Sequence, residues 1–221
     1  MRVVGVDGYT KGWVVVVLED GSLAAARLHK SFVDVLAAHR DAEVIAVDIP
    51  IGLPQGKELR AADVAAKKVL ASGASRVFAV PPRAILEAST YAAARELATR
   101  AWGRGLTAQS FALARKILEV DAHADERIYE VHPEVSFWAL KKGTLSARKK
   151  SWNGALERRA LLAGAGITLP EHIKGAGDAV FDDLLDAAAA AWSAHRIASG
   201  TARSLPPEPE TIDERRVAIW Y

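Results

Sequence analysis

RVVGVDGYTKGWVVVVL, residues 2–18, decides how the rest of the chain is read. Two runs rich in Val, residues 2–7 and 13–18, are separated by Gly8, Tyr9, Thr10, Lys11 and Gly12, a spacing suited to a hairpin. The first run ends on Asp7, and a buried strand end is a costly place for a carboxylate unless its charge is used there. Working outward, Glu19, Asp20 and Gly21 make the next turn and Leu23 to His29 a third strand. Ser31 to His39 reads as a helix with Phe32, Val35 and Leu36 on one face. Val44 to Val47 is a further apolar strand. It ends in Asp48 and is followed by IPIGLP, where Pro50 and Pro54 stop any ladder. The opening order is therefore βββαβ.

Beyond it, residues 57–121 turn to Ala, Arg and Leu at helical spacing, broken at Pro81-Pro82 and at Gly103 to Gly105. These helices are short and are expected to need the sheet for packing, which makes the segment a helical insertion within a single domain spanning 1–221. Arg127 to Val131 reads as a short strand, with Pro133 placed to start a helix. Asp178 to Ser199 is the strongest helix, with Phe181, Leu184, Leu185, Ala188 and Trp192 as its apolar stripe and Gly200 past its end. SLPPEPE reads as an extended loop. The closing VAIWY is apolar enough to pair at a sheet edge, in this chain or in a partner of a homodimer.

Half of the 221 residues are hydrophobic, enough for a substantial core. The chain has no cysteine, which excludes disulfides, thiolate metal sites and cysteine nucleophiles, so any metal must use oxygen ligands or the six histidines. No stretch approaches the roughly 18 uninterrupted apolar residues of a membrane span, and no leader pattern precedes the first strand, so a cytoplasmic protein is expected. A formal charge of +2 gives no argument for a polyanion partner from the whole molecule.

Asp7 and Asp48 both terminate apolar strands. Were those strands parallel neighbours, the two carboxylates would emerge side by side at the sheet edge where ligands of α/β proteins bind. A hard divalent ion is the common partner of such a pair. The competing reading makes Asp7 the first residue of an Asp-Gly turn and Asp48 an anchor for the turn at Ile49-Pro50. In DDLLD, residues 182–186, Asp183 and Asp186 stand three apart and Asp182 and Asp186 four apart, so either pairing puts two carboxylates on one helical face. A helical wheel sets them away from the apolar stripe, so solvated acids complementing the helix dipole are the plainer reading. In YEVHPEVSFW, residues 129–138, Glu130 lies in an apolar strand and must be exposed, paired or bound to metal. It shares a face with His132, while His132 and Glu134 have capping and dipole explanations of their own.

With carboxylates ending the first and fourth strands and D-x-x-D on the last helix, this order resembles the ribonuclease H-like fold. Holliday-junction resolvases are similar in their paired helix aspartates. GVDGYTKGWVV, DIPIGLP, SRVFAVPPR, QSFALARKILEVD, EVHPEVSFWAL and DDLLDAAA, in that order, resemble a bacterial and archaeal family of unknown function labelled as ribonuclease H-like nucleases. The resemblance implies a mixed α/β sheet in βββαβαβα order flanked by helices. It also implies a nuclease hydrolysing phosphodiesters at two Mg²⁺ or Mn²⁺ ions about 4 Å apart, held by Asp7, Asp48, Asp183 and Asp186. Glu130 belongs to the family's own motif and joins the catalytic candidates.

A nucleic-acid partner would need a basic surface. Lys141, Lys142, Arg148, Lys149, Lys150, Arg158 and Arg159 offer one, opposed by Glu157 alone, with Trp138 and Trp152 to stack on bases. An ordinary solvated helix face is the plainer account of such a run. Arg60 and Arg83 are added as phosphate-binding candidates by the resemblance. Two other functions fit the opening hairpin: an ATP-binding phosphotransferase of the actin and sugar-kinase type, and a non-catalytic nucleic-acid-binding or scaffold protein. The first is disfavoured by the absence of a second glycine-rich hairpin. The second predicts that Asp7→Asn stabilises the protein and alters no activity.

Overall fold

The computed structural model describes residues 1–221. It opens with β1 (Arg2–Tyr9), β2 (Gly12–Glu19), β3 (Ser22–His29), α1 (Phe32–Ala38) and β4 (Val44–Val47). A helical stretch follows, with α2 (Ala61–Leu70), α3 (Arg83–Leu86), α4 (Tyr91–Leu97), α5 (Ala108–Ala112) and α6 (Ala114–His123). Then come β5 (Ile128–Glu130), α7 (Pro133–Lys141), α8 (Trp152–Gly164), α9 (Phe181–Ala198), β6 (Ser204–Ile212) and β7 (Arg215–Trp220). Contacts divide the chain into one unit of Met1–Ile49, Asp125–Arg203 and Trp220–Tyr221 and a second of Pro50–Ala124 and Ser204–Ile219.

In the first unit Trp13 to Leu18 are at most 1% exposed, because a β-branched run without alternation suits a strand covered on both faces. The sheet order is β3-β2-β1-β4-β5. β1 to β3 form an antiparallel meander, and β4 and β5 run parallel to β1. This mixed sheet with flanking helices is the mixed α/β arrangement expected from the sequence. Ser31 caps α1 in a reciprocal capping box with Asp34, and Pro133 starts α7 as anticipated.

Period-two alternation assigns the faces. Val3, Val14, Val16, Leu18, Val44, Ala46 and Val131 share one core with the alanines of α9. Helix α9 is buried around most of its circumference from Leu184 to Ala191, which corrects the stripe expected from the wheel. Phe181, assigned to that stripe, is 46% exposed, while Asp186, assigned to solvent, is 3% exposed. A wheel assumes one covered side, whereas α9 packs on the sheet and also against α7 and α8.

In the second unit Ile85, Ala94, Ala98, Trp102 and Leu106 form a core of their own. SLPPEPE is strand rather than loop, since it lies in β6, which pairs with β7. Prolines are tolerated there because a two-stranded ribbon leaves one edge of each strand without a ladder. The apolar terminal strand thus finds its partner within this chain. No helix is long and apolar enough to cross a membrane.

Candidate metal centre

The register decides whether the strand-end acids meet. β1 pairs with β4 in parallel, with Gly5 opposite Ala46 and Val6 opposite Val47. The Asp48 amide continues the ladder, donating to the Val6 carbonyl at 3.0 Å. Asp7 and Asp48 therefore lie side by side one step beyond the last β1–β4 pair, at the strand spacing of about 4.8 Å. Asp48 follows the end of β4, whereas Asp7, expected to end its strand, lies within β1 opposite Val14, because pairing with β2 carries β1 on to Tyr9. Asp7 is 7% exposed and accepts a hydrogen bond from the Gly8 amide at 2.9 Å, while Asp48 is half-buried.

Gly5, two residues before Asp7 on the same face, brings the third acid to them. A Cβ there would lie 2.0 Å from the Ala191 nitrogen and 2.2 Å from the Ala187 oxygen, so α9 lies directly on β1. One turn earlier on α9, Asp186 comes within electrostatic reach of Asp7 and Asp48. Burial, then the charge of Asp186, then that of Asp48 hold the Asp7 carboxyl well above the usual range. Burial raises Asp48 to about 7, Lys149 opposing and Glu134 adding to the rise. Burial likewise raises Asp186 to about 7, with Lys149 opposing and Asp48 adding. Asp183 is half-buried and raised more mildly, by burial and then by its neighbour Asp182.

Lys149, expected on a nucleic-acid surface, lies among these acids instead. Its Nζ donates to Asp186 Oδ2 and stands 3.8 Å from Asp182 Oδ2. Burial pulls its pKa down, but Asp186, Asp7 and Asp48 outweigh that and raise it. Around this ammonium no three acidic or histidine side chains converge closely enough to chelate one ion. The donor set nonetheless suits a hard divalent ion. It is all oxygen, already attracts a cation, and includes Asp186 Oδ1, buried without a hydrogen-bond partner.

The remaining candidates scatter. Glu130 pairs with Val47, in register with Val6, which puts it on the sheet face opposite Asp7 and Asp48. It is 5% exposed. Glu134, ranked behind it on sequence grounds, is the acid of that motif near the cluster; its Oε1 accepts from Arg158 Nη2 at 2.5 Å. Position in the first turn after Pro133 was the available signal for Glu134. Arg158 is fully buried over the Phe137 ring, and nothing in its basic run distinguishes it from surface neighbours.

The basic run is thus largely occupied internally. Lys141 pairs with Glu157, Arg159 donates to the Leu169 carbonyl, and Lys149 and Arg158 serve the cluster and its rim. Trp152 is 77% exposed, and Lys150 acts electrostatically on Asp183. In the second unit Arg60 is 1% exposed, bound to Asp63 at 2.9 Å and to the Ile51 carbonyl at 3.1 Å, which leaves it no reach to a phosphate. Arg83 is half-exposed and pairs with Asp121 and Glu87.

A family model described as "Protein of unknown function (DUF429)" matches residues 5–211. No curated protein matches the chain. Among solved structures, Thermus thermophilus RuvC is similar at 18% identity and a TM-score of 0.39, covering 91% of this chain and 98% of that one. T. thermophilus RuvC in complex with Holliday junction substrate is similar at 17% identity and the same TM-score, covering 91% and 97%.

Proposed function

The chain belongs to the DUF429 family, and on that premise we propose that it is a divalent-metal-dependent nuclease acting at Asp7, Asp48, Asp183 and Asp186. One observation carries the reading: acids from β1, β4 and α9 meet in a cluster whose burial and mutual repulsion raise their pKa values. Perturbation of this kind concentrates where charge has work to do. Asp7, Asp48 and Asp186, with Asp183 at the edge, would hold Mg²⁺ or Mn²⁺, which when bound supplies an activated water and stabilises a departing phosphodiester oxygen.

The chain's own groups do the rest. Asp7 within β1 and Asp48 just past β4 sit on rigid, hydrogen-bonded backbone and need little reorganisation to take a cation. The half-buried Asp48 and Asp183 leave the cluster open to a substrate. Trp152, exposed at the start of α8, three residues after Lys149, offers a face on which a base can stack.

The test is cleavage of single-stranded, duplex, hybrid and branched nucleic acids with Mg²⁺ or Mn²⁺. The expected result is cleavage of at least one class, abolished by Asp7→Asn and by Asp186→Asn. Folded protein that cuts none of them with either metal would overturn the proposal.

A further inference from the structure

We infer that Lys149 is a tethered counter-ion, and that its ammonium and a divalent cation are alternative occupants of one place among Asp7, Asp48 and Asp186. The inference rests on the cation-binding reading of the cluster and is independent of cleavage.

The charge balance carries the first step. Three buried or half-buried carboxylates face a single ammonium, with Asp182 3.8 Å from it, so the cluster stays short of positive charge with Lys149 in place. Asp186 shows the deficit at one atom, since Oδ2 accepts from Lys149 while Oδ1 is buried without a donor. A divalent ion brings twice the charge and takes several oxygens at once. It cannot collect those oxygens around an ammonium, because like charges at such separations repel strongly in a partly desolvated site.

The second step concerns how Lys149 is delivered. Residues 142–151 join α7 to α8 and are pinned on both sides of Lys149. Glu157 accepts from the amides of Ser146 at 3.0 Å and Ala147 at 3.2 Å. The Arg148 carbonyl accepts from the Ser151 amide at 3.0 Å and hydroxyl at 2.8 Å. The same carbonyl lies 2.0 Å from where a Cβ on Gly154 would stand, so the loop rests directly on the first turn of α8. The backbone is thus held while the side chain is 31% exposed, with a route to solvent. Lysine suits such a role, being a compact charge on a flexible stem. Tethering makes it a competitor present at high effective concentration. Lys149 therefore quiets the acids when no metal is bound and sets the metal concentration at which the site loads.

The experiment is Mn²⁺ titration of wild type, Lys149→Met and Lys149→Arg by calorimetry, with melting temperatures with and without Mn²⁺. Lys149→Met is expected to bind Mn²⁺ about tenfold or more tightly than wild type and to melt lower without metal. Lys149→Arg, which keeps the charge, should show no gain. Equal or weaker Mn²⁺ binding by Lys149→Met, or none by either protein, overturns the inference. A second readout needs no variant: Mn²⁺ should raise the acetylation rate of Lys149 in wild-type protein, measured by mass spectrometry, and protection or no change overturns it. Tighter binding by Lys149→Met without cleavage of any nucleic acid would sink the nuclease reading alone, and cleavage with unchanged Mn²⁺ affinity would sink this inference alone.

Discussion

Gly5 and Ala191 touch backbone to backbone: a Cβ on Gly5 would stand 2.0 Å from the Ala191 nitrogen. That approach sets the height of α9 above the sheet, and with it the distance from Asp186 to Asp7. Gly5→Ala must lift the helix, because the obstructing atoms are main chain and cannot rotate away. It is expected to cost about 3 kcal/mol or more, at the upper end of overpacking, and to weaken Mn²⁺ binding. Denaturant unfolding and calorimetry check both, and an unchanged midpoint would show that the helix has room.

Stability should depend on pH with an unusual sign. Asp48 and Asp186, raised to about 7, and Asp7, raised well above the usual carboxylate range, bind protons in the folded state that the unfolded chain has released. Their contribution is present at low pH and is lost as pH rises through the folded pKa values. His39, pulled down to about 4 by burial, and His29 oppose this below their ordinary value, and neither acts above it. Lys149, raised, stays charged throughout. The metal-free protein should melt several degrees higher at roughly pH 5.5 than at pH 8. Mn²⁺ should restore the loss at the higher pH, and Asp7→Asn should flatten the slope. A melting temperature that climbs over this range would refute the assignment.

Arg158 and Glu134 form a buried pair at the cluster's rim. Arg158→Met removes the buried cation bound to Glu134 beside Asp48 and Asp186, at an expected cost of about 3–5 kcal/mol. Adding Glu134→Gln should recover more than half of it, because the carboxylate charge left behind rather than the lost contact dominates. Chemical denaturation of the two single variants and the double variant measures this, and additive losses would contradict it.

Trp152, 77% exposed, should contribute to nucleic-acid affinity and little to folding. Trp152→Ala is expected to weaken single-strand binding by about 1–3 kcal/mol, the worth of one stacked base, with the melting temperature unchanged. Fluorescence anisotropy against a labelled oligonucleotide tests it, and undiminished affinity would remove Trp152 from the interface.

Sequence alone determined the opening hairpin, the order βββαβ and the place of Asp48 at the end of β4, because hydrophobic period and turn chemistry are local properties; it ended the first strand at Asp7, whereas pairing with β2 carries β1 on to Tyr9. It also separated Glu130 from its neighbours by strand alternation, though not which sheet face the cluster would use. Only tertiary structure decided that Asp186 is buried, since α9 is covered by the sheet and by α7 and α8 and a helical wheel cannot represent several covered sides. The same holds for Lys149 and Arg158, two cations of one basic run that folding turns inward to acids distant along the chain. Charge partners of that kind are fixed by where elements dock, which no local pattern encodes.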